Sequence, residues 1–335
     1  MNHYKYIVLG SGIAAYAALE ELIKKTKDIC VISKEDECYL RPLLSKTTFS
    51  SYNFKVTYLP DIYEGIPFIH EEVKEVDVDN KIINQKYQYE TLIYALGAEN
   101  RKLDSIENGF YLRHIEDFYR IKRELPFVKE VGIIGGGMIG LEVAHLLSKM
   151  NKRVNIYEYM DHLIPRYFTK EDSDYLINIL ASMNVHVECH SRRSDYEEKC
   201  VIVSIGNTKN NVFDEPIKVD EKMKFKSDIY ACGDCVEGNF ALWNEAYEQG
   251  KIAGSNALGK EATFEKKTYP VLFHLDKIGV YAGDINSDRT FTRIIENDLF
   301  SINENSKKTY ISVHDGHIVV IGDLRYVDMV KEGRL

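Results

Sequence analysis

The sequence predicts an α/β fold with two doubly wound dinucleotide-binding domains, because two glycine-rich turns each lie between a strand and a helix. The first turn is GSGIAA at residues 10–15, and the second is GGGMIG at residues 135–140. Each follows a short apolar strand pattern, YIVL at 6–9 or VGII at 131–134, and runs into an apolar helical pattern. In this context the glycines let backbone N–H groups approach a pyrophosphate at a helix N-terminus. Two such turns indicate two dinucleotides, and a flavin exchanging electrons with a nicotinamide is the economical interpretation.

Composition limits the possible classes of protein. The 335 residues suffice for two or three domains with separate cores. A net charge of −9 argues against nucleic acid or an anionic membrane as the main partner. The sequence has no apolar run of about 18 residues, so we expect no transmembrane helix, and a first strand so near Met1 leaves no room for a signal peptide. Six cysteines without close regular spacing fit reduced thiols, so we expect a cytoplasmic protein.

The rest of the chain continues the alternation of strands and helices. The patterns predict strands at 28–32, 67–70, 72–77, 81–83, 92–96, 154–157, 185–187, 200–204 and 228–231, and helices starting at 41 and covering 170–183 and 244–258. Pro42 suits a first helical turn. The C-terminal region mixes short strands with turns such as Asp315-Gly316. Such alternation is typical of doubly wound α/β domains.

Several motifs occur in an order that identifies a family. They are the two glycine-rich turns, YLRPLLSK at 39–46, YALGA at 94–98, IYACGD at 229–234 and EAYEQG at 245–250. In this order the chain resembles the FAD-dependent pyridine nucleotide–disulfide oxidoreductase superfamily. Within it the sequence is most similar to NADH:rubredoxin oxidoreductases and to the flavin-binding part of NADH-dependent nitrite reductases. The resemblance covers residues 4 to 285, and the C-terminal residues match only loosely.

The resemblance implies an NAD-binding domain inserted into an FAD-binding domain, followed by a small α+β C-terminal domain. We expect the FAD domain at 1–108 and 218–264, the NAD domain at 109–217 and the C-terminal domain at 265–335. Only residues 188–199 join two strands between which the family usually has a β-meander, so we expect a loop there. The C-terminal part is also shorter than the dimerisation domain of the disulfide reductases, which favours a monomer.

The FAD site implied by the resemblance begins at the first glycine-rich turn, where Gly10 and Gly12 would admit the pyrophosphate. The family's acid for the adenosine ribose falls at Ser33. Glu35 either replaces it or is a solvated loop carboxylate. Arg41 is similar to the family arginine beside the flavin and its phosphates. The remaining implied FAD contacts are Ile13, Ala14, Lys34, Pro42, Val73, Ala95, Leu96, Gly97 and Gly233.

Asp234 and Trp243 are expected beside the flavin itself. Asp234 follows the strand-ending Gly233, where it can accept hydrogen bonds from the ribityl chain. The helix that follows would direct its N-terminus at flavin N1 and O2, where negative charge accumulates on reduction. Trp243 takes the place of an aromatic beside flavin and nicotinamide, although a single tryptophan is more often a core residue.

The implied NADH site lies in the second βαβ unit. Glu158 follows a strand about 20 residues after the second glycine-rich turn, where a carboxylate bonds the ribose 2′-OH and repels a 2′-phosphate. We therefore expect NADH rather than NADPH. The other implied NAD contacts are Gly135, Gly137, Met138, Ile139, Gly140 and Gly206.

Lys46 and Glu142 form the main candidate pair for catalysis. In the rubredoxin and ferredoxin reductase branch, the matching residues approach each other near flavin N5. A buried ion pair there could stabilise reduced flavin and position the nicotinamide. The alternative is that Lys46 and Glu142 are surface charges that never meet.

The cysteines do not predict a dithiol mechanism. Cys232 and Cys235 form a C-x-x-C pattern, but the residues between them belong to the FAD motif. Cys38 stands alone, and the position of the single active-site cysteine in related oxidases falls at Ser45. The flavin is therefore expected to give its electrons directly to an external acceptor.

The leading functional hypothesis is an NADH-dependent flavoprotein reductase that uses FAD and serves a small one-electron carrier protein such as rubredoxin. The alternatives are an NADH oxidase acting on oxygen, the flavin-binding component of a nitrite reductase, and a non-enzymatic flavin or NAD sensor. No motif predicts a metal site or identifies the acceptor.

Overall fold

The chain forms two compact units in the computed structural model. The structure describes residues 1–35, 38–47, 49, 62–106, 109–239, 241–266, 270–275, 278–285, 290–296 and 308–334. The first unit holds the described residues within Met1–Leu43, Lys55–Glu99 and Asn207–Lys267, and the second those within Leu44–Phe54, Asn100–Gly206 and Thr268–Leu335. The division into three domains expected from the sequence stays a prediction.

Strands and helices alternate along most of the chain. In chain order they are β1 (Asn2–Leu9), α1 (Ile13–Leu22), β2 (Ile29–Ser33), β3 (Phe68–His70), β4 (Val76–Asp77), β5 (Ile82–Ile83), β6 (Tyr87–Tyr94), β7 (Ala98–Asn100), α2 (Ile115–Glu124), β8 (Glu130–Ile134), α3 (Met138–Lys149), β9 (Arg153–Tyr157), α4 (Lys170–Ser182), β10 (Val185–Glu188), β11 (Cys200–Val203), β12 (Asn207–Lys209), β13 (Lys224–Lys226), β14 (Ile229–Ala231), α5 (Trp243–Ala257), β15 (Val271–Leu275), β16 (Ile278–Asp284), β17 (Phe291–Glu296), β18 (Lys308–His314), β19 (His317–Gly322) and α6 (Arg325–Lys331). Short 3-10 turns cover Arg41–Leu43 and Leu125–Phe127.

The first unit is built on a sheet with the strand order β13-β14-β6-β1-β2-β3, in which β14, β6, β1, β2 and β3 run parallel. Strand β5 pairs with β6, and β4 pairs with β5. A strand covered on both faces is apolar throughout, and every residue of β2 is buried. Helices α1 and α5 share a hydrophobic core on one face of this sheet. The carboxyl ends of β1, β6 and β14 meet at one edge, which is where open α/β sheets bind ligands.

The second unit contains a parallel sheet with the order β10-β9-β8-β11 and an antiparallel sheet with the order β15-β16-β19-β18-β17. The predicted turn at Asp315-Gly316 joins β18 to β19, and both residues have positive φ angles, 46° and 75°. The fully buried Asp172 of α4 accepts a 2.7 Å hydrogen bond from the Tyr310 hydroxyl of β18. The α/β class predicted from the sequence is therefore confirmed.

Two local expectations are resolved by the structure. Residues 189–199, all of them described, contain no strand, so this segment is a loop. The helix expected from residue 41 is only a 3-10 turn over Arg41–Leu43, and Lys46 lies in the turn that follows it rather than on a helix. Leu43 N donates a hydrogen bond to Leu40 O, as in a tight 3-10 turn. Ser45 and Lys46 do not continue the helix, and their side chains make the contacts described below.

Candidate functional site

The first glycine-rich turn connects β1 to the N-terminus of α1. Gly10 has φ +100°, and a Cβ there would lie 2.4 Å from the carbonyl oxygen of Ala95, so only glycine fits. Gly12 is the N-cap of α1, and a Cβ there would meet no atom within 4 Å. Space is thus open before Ile13 and Ala14, the first residues of a helix that has no capping side chain. A helix N-terminus of this kind binds phosphate groups.

Residues after β2 form a polar cluster with this turn. Ser33 Oγ lies 3.0 Å from Ser11 Oγ and accepts a 3.1 Å hydrogen bond from Glu35 N. The Arg41 guanidinium donates a hydrogen bond to the Glu35 carboxylate. Glu35 is therefore paired rather than solvated, and its partner is the cation expected beside the flavin phosphates. Lys34 Nζ lies 2.6 Å from Glu99 Oε1.

The loops after β6 and β14 lie side by side, because Tyr94 and Ala231 are paired at the ends of these strands. The first loop holds Ala95, Leu96 and Gly97, and the second holds Gly233 and Asp234. Gly233 N donates a 2.9 Å hydrogen bond to Gln249 Oε1, and Gly233 O accepts one of 2.7 Å from Asn239 Nδ2. Gln249 of the EAYEQG motif thus holds the second loop from within α5.

Val73 and Pro42, two of the predicted FAD contacts, differ in exposure. Val73 is buried in the core that includes Ile83 and Leu92, so any contact of Val73 with a ligand would come from its backbone. Pro42 lies in the exposed 3-10 turn.

Trp243 is the first residue of α5 and stacks on Tyr247, with ring centroids 5.5 Å apart and planes at 2°. Its Nε1 is buried and has no hydrogen-bond partner among the described residues. The Tyr247 hydroxyl donates a 2.7 Å hydrogen bond to Glu20, and this bond, with burial, raises the pKa of Tyr247 to about 12. A buried N–H without an acceptor is costly, and the Trp243 Nε1 donor is available to a ligand that offers an acceptor.

The second glycine-rich turn repeats the geometry of the first in the second unit. Gly135 has φ +105°, and a Cβ there would lie 2.3 Å from Ser204 O. Gly137 is the N-cap of α3, with open space at its Cβ position, and Met138, Ile139 and Gly140 begin the helix. A Cβ at Gly206, which follows β11 by three residues, would also meet no atom within 4 Å.

Glu158 lies directly after β9 and against this turn. Its Oε2 accepts a 2.6 Å hydrogen bond from Gly136 N, and its Oε1 accepts one of 2.7 Å from Met160 N. Each carboxylate oxygen keeps a free acceptor direction, so Glu158 can still bond a ribose hydroxyl.

The loop at 189–199 adds residues beside Glu158 that sequence reasoning missed. Ser191 N donates to Glu158 O, and the Arg192 guanidinium lies 3.4 Å from the centroid of the Tyr159 ring. The shortness of the loop was visible in the sequence, but its attachment to residues 158–160 was not.

Lys46 and Glu142 meet within the second unit, as the sequence analysis hypothesised. Lys46 Nζ lies 3.7 Å from Glu142 Oε1, and Ser45 donates a hydrogen bond to Glu142 Oε2. Burial raises the pKa of Glu142, and the bond from Ser45 and the charge of Lys46 only partly offset this effect. Ser45 was not predicted as a site residue, although it directly precedes Lys46 and falls at the position of the single active-site cysteine in related oxidases.

Cys232 and Cys235 are buried free thiols. Burial raises the pKa of Cys232 well above its usual value and that of Cys235 to about 12. Reactive thiols have a lowered pKa and some exposure, so this pair does not have the properties of a redox dithiol. In the part of the chain that the structure describes, no cluster of three metal-binding side chains occurs, and no helix is long and apolar enough to span a membrane.

Comparison with known proteins gives consistent matches. The family model described as pyridine nucleotide-disulphide oxidoreductase matches residues 4–250. The NADH-rubredoxin oxidoreductase of Clostridium acetobutylicum is 27% identical over 318 residues, covering 86% of this chain and 84% of the relative. The NADH oxidase of Methanocaldococcus jannaschii is 28% identical over 331 residues, covering 79% of this chain and 72% of the relative. The crystal structure of the Clostridium acetobutylicum NADH:rubredoxin oxidoreductase matches with a TM-score of 0.80 at 26% identity, covering 99% of this chain and 94% of that one.

Proposed function

Because the chain belongs to the pyridine nucleotide-disulphide oxidoreductase family, we propose that it is an FAD-dependent NADH reductase for a small redox protein such as rubredoxin. The observation that carries this proposal is the repeated glycine turn, which gives each of the two units a helix N-terminus with open space at its N-cap glycine. FAD is assigned to the first unit and NADH to the second. When bound, FAD would supply an acceptor for the hydride of NADH and a donor of single electrons to the carrier protein.

The residues of the first unit fit FAD. Gly12 leaves room for a pyrophosphate at the N-terminus of α1, and Arg41 supplies a cation next to Glu35. Trp243 has a buried N–H group that lacks an acceptor among the described residues. Asp234 lies in the loop that Gln249 holds in place, where its carboxylate would accept hydrogen bonds from the hydroxyl groups of the ribityl chain.

The residues of the second unit fit NADH. Gly137 leaves room for a pyrophosphate, and Glu158 offers its carboxylate to the ribose 2′-OH. A 2′-phosphate would be repelled by the same carboxylate, so NADH is the assigned reductant. Lys46 and Glu142 are assigned to the flavin reaction, in which the cation favours the anionic reduced flavin and the pair orients the nicotinamide.

A protein acceptor is proposed because no redox dithiol is available to pass electrons to a disulfide substrate. Cys232 and Cys235 are buried with raised pKa values, and Ser45 stands where related oxidases have a cysteine. We assign the protein to the cytoplasm, where six free thiols remain reduced, and expect it to act as a monomer.

The deciding experiment is turnover of NADH by the purified protein with rubredoxin, with ferricyanide or with oxygen alone. The proposal expects a yellow protein with one noncovalent FAD, and faster NADH oxidation with rubredoxin or ferricyanide than with oxygen. Oxygen consumption that rubredoxin does not exceed would favour an NADH oxidase, the activity named for the Methanocaldococcus jannaschii relative. A colourless protein that FAD cannot reconstitute would overturn the assignment.

A further inference from the structure

Lys209 and Asn210 lie at the point where β12 ends, and together they hold both strand-end loops assigned to FAD. None of the FAD or NAD motifs includes them. They follow Gly206, after which the chain enters the first unit. Strand β12 pairs with β7, the strand that starts directly after the loop at residues 95–97.

Asn210 binds the loop after β6 through both its backbone and its side chain. Asn210 N donates a 3.0 Å hydrogen bond to Gly97 O, and Nδ2 donates one of 2.8 Å to Leu96 O. The Tyr94 hydroxyl donates a 3.2 Å hydrogen bond to Asn210 O and accepts one from Val212 N. The carbonyl groups of Leu96 and Gly97 therefore both accept hydrogen bonds from Asn210.

Lys209 binds the loop after β14. Its Nζ donates hydrogen bonds to Asp234 O at 3.2 Å and to Val236 O at 2.5 Å. The side chain is half-buried, and both acceptors of its Nζ are backbone carbonyl oxygens. The ammonium group of Lys209 is therefore held by carbonyl dipoles.

We propose that Lys209 and Asn210 are positioning residues that fix the Leu96–Gly97 and Asp234–Val236 segments for FAD, with Lys209 adding a positive charge to that site. This inference rests on the proposed function. Two loops that are already fixed lose little conformational entropy when a ligand binds, so the affinity is higher than for mobile loops. The Lys209 ammonium group also favours the anionic phosphates and the anionic reduced flavin.

The test compares the rates at which the wild-type and variant holoproteins release FAD. Release is measured after dilution from the fluorescence of free FAD. Lys209→Met removes the donors and the charge, Lys209→Arg keeps the donors and the charge, and Asn210→Asp replaces the Nδ2 donor with a carboxylate oxygen at nearly constant size. Lys226→Met is the matched control, because Lys226 belongs to the same unit but pairs with the surface residue Glu215. Visible circular dichroism and the flavin reduction potential are measured on the same samples.

We expect Lys209→Met and Asn210→Asp to release FAD about ten- to a hundredfold faster, the effect of losing charge-assisted hydrogen bonds or of leaving a carbonyl unpaired. Lys209→Arg should stay within about threefold of the wild type, since its donors and charge remain. The reduction potential should fall in Lys209→Met and not in Lys209→Arg.

Each other result counts against the inference in a distinguishable way. A wild-type protein that binds FAD, together with Lys209→Met and Asn210→Asp variants that release it at the wild-type rate, overturns the positioning role alone. Equal FAD loss in Lys226→Met assigns the effect to general destabilisation and also overturns it. A wild-type protein that binds no FAD overturns the proposed function as well.

Discussion

Lys46 and Glu142 form an ion pair, with 3.7 Å between Nζ and Oε1, but the two partners differ in exposure. The Lys46 side chain is 49% exposed and that of Glu142 only 10%. Solvent therefore screens the cation, and the pair contributes about 0.2–1 kcal/mol to stability rather than the several kcal/mol of a fully buried pair. Its proposed importance lies in the flavin reaction and not in the fold.

Replacing Lys46 with Met should change the flavin and leave the fold nearly intact. We expect slower reduction by NADH and a lower reduction potential, because a cation that favours anionic reduced flavin is lost. The free energy of unfolding should change by about 1 kcal/mol or less. Stopped-flow reduction and a redox titration measure the two effects, with Lys222→Met, at an exposed pair with Glu261, as the control. If neither the rate of flavin reduction nor the reduction potential changed, the pair would have no role in the flavin reaction.

Glu142→Gln should have the opposite electrostatic effect and raise the reduction potential. It should also change how stability depends on pH. Burial raises the pKa of Glu142 above its usual 4.5, so the folded state binds a proton that the unfolded state releases. The wild type therefore loses stability as the pH rises from 4.5 through the raised pKa. Gln cannot ionise and still accepts from Ser45.

We accordingly expect Glu142→Gln to be more stable than the wild type at neutral pH, with the difference shrinking as the pH falls to 4.5. Urea unfolding of both proteins across this range measures it. A constant difference at all pH values would mean that the pKa of Glu142 is not raised in the folded protein.

The ends of strands and the glycine turns could be predicted from the sequence because local patterns specify them. Gly10 and Gly135 each need a positive φ that few other residues adopt, and each follows an apolar strand. The bonds of Ser45 to Glu142 and of Lys209 to Val236 could not be predicted in this way. Each joins residues far apart in sequence through flexible or small polar side chains, whose partners depend on how loops are placed. The 3-10 turn at Arg41–Leu43 was missed for the same reason, since tertiary contacts overrode a helical start signal.

Glu158 should decide the choice between NADH and NADPH. Glu158→Ala removes the charge that repels a 2′-phosphate. The ratio of kcat/KM for NADH to that for NADPH should therefore fall about tenfold or more, the effect of losing one charge interaction. It also removes the acceptor of Gly136 N and Met160 N, which should cost about 1–3 kcal/mol of stability. Glu158→Gln separates the two effects, because it removes the charge and keeps one acceptor. Steady-state kinetics with both nucleotides provides the measurement, and a wild type that uses both equally would disprove the role of Glu158.

Replacing Cys232 and Cys235 together with Ala should leave NADH oxidation by ferricyanide nearly intact. Both thiols are buried with raised pKa values, so neither forms a thiolate at neutral pH. Stability should fall by about 1–3 kcal/mol, because buried sulfur atoms are lost and the bond from Cys235 Sγ to Cys232 O disappears. Cys189→Ala, at a less buried thiol, is the control. Loss of turnover with FAD still bound would restore a dithiol mechanism.

Trp243→Phe distinguishes a ligand-binding indole from a core residue by measuring the FAD-free and FAD-bound proteins separately. In the FAD-free protein the substitution removes a buried N–H that has no acceptor among the described residues, and it keeps an aromatic ring on Tyr247. The loss of ring area and the relief of the unpaired N–H offset each other, so stability should change by less than about 1 kcal/mol. FAD affinity should fall about two- to tenfold, the effect of one neutral hydrogen bond. A core role would give the reverse pattern, with stability lowered in both forms and FAD affinity unchanged, because the indole N–H would then contribute nothing to the ligand.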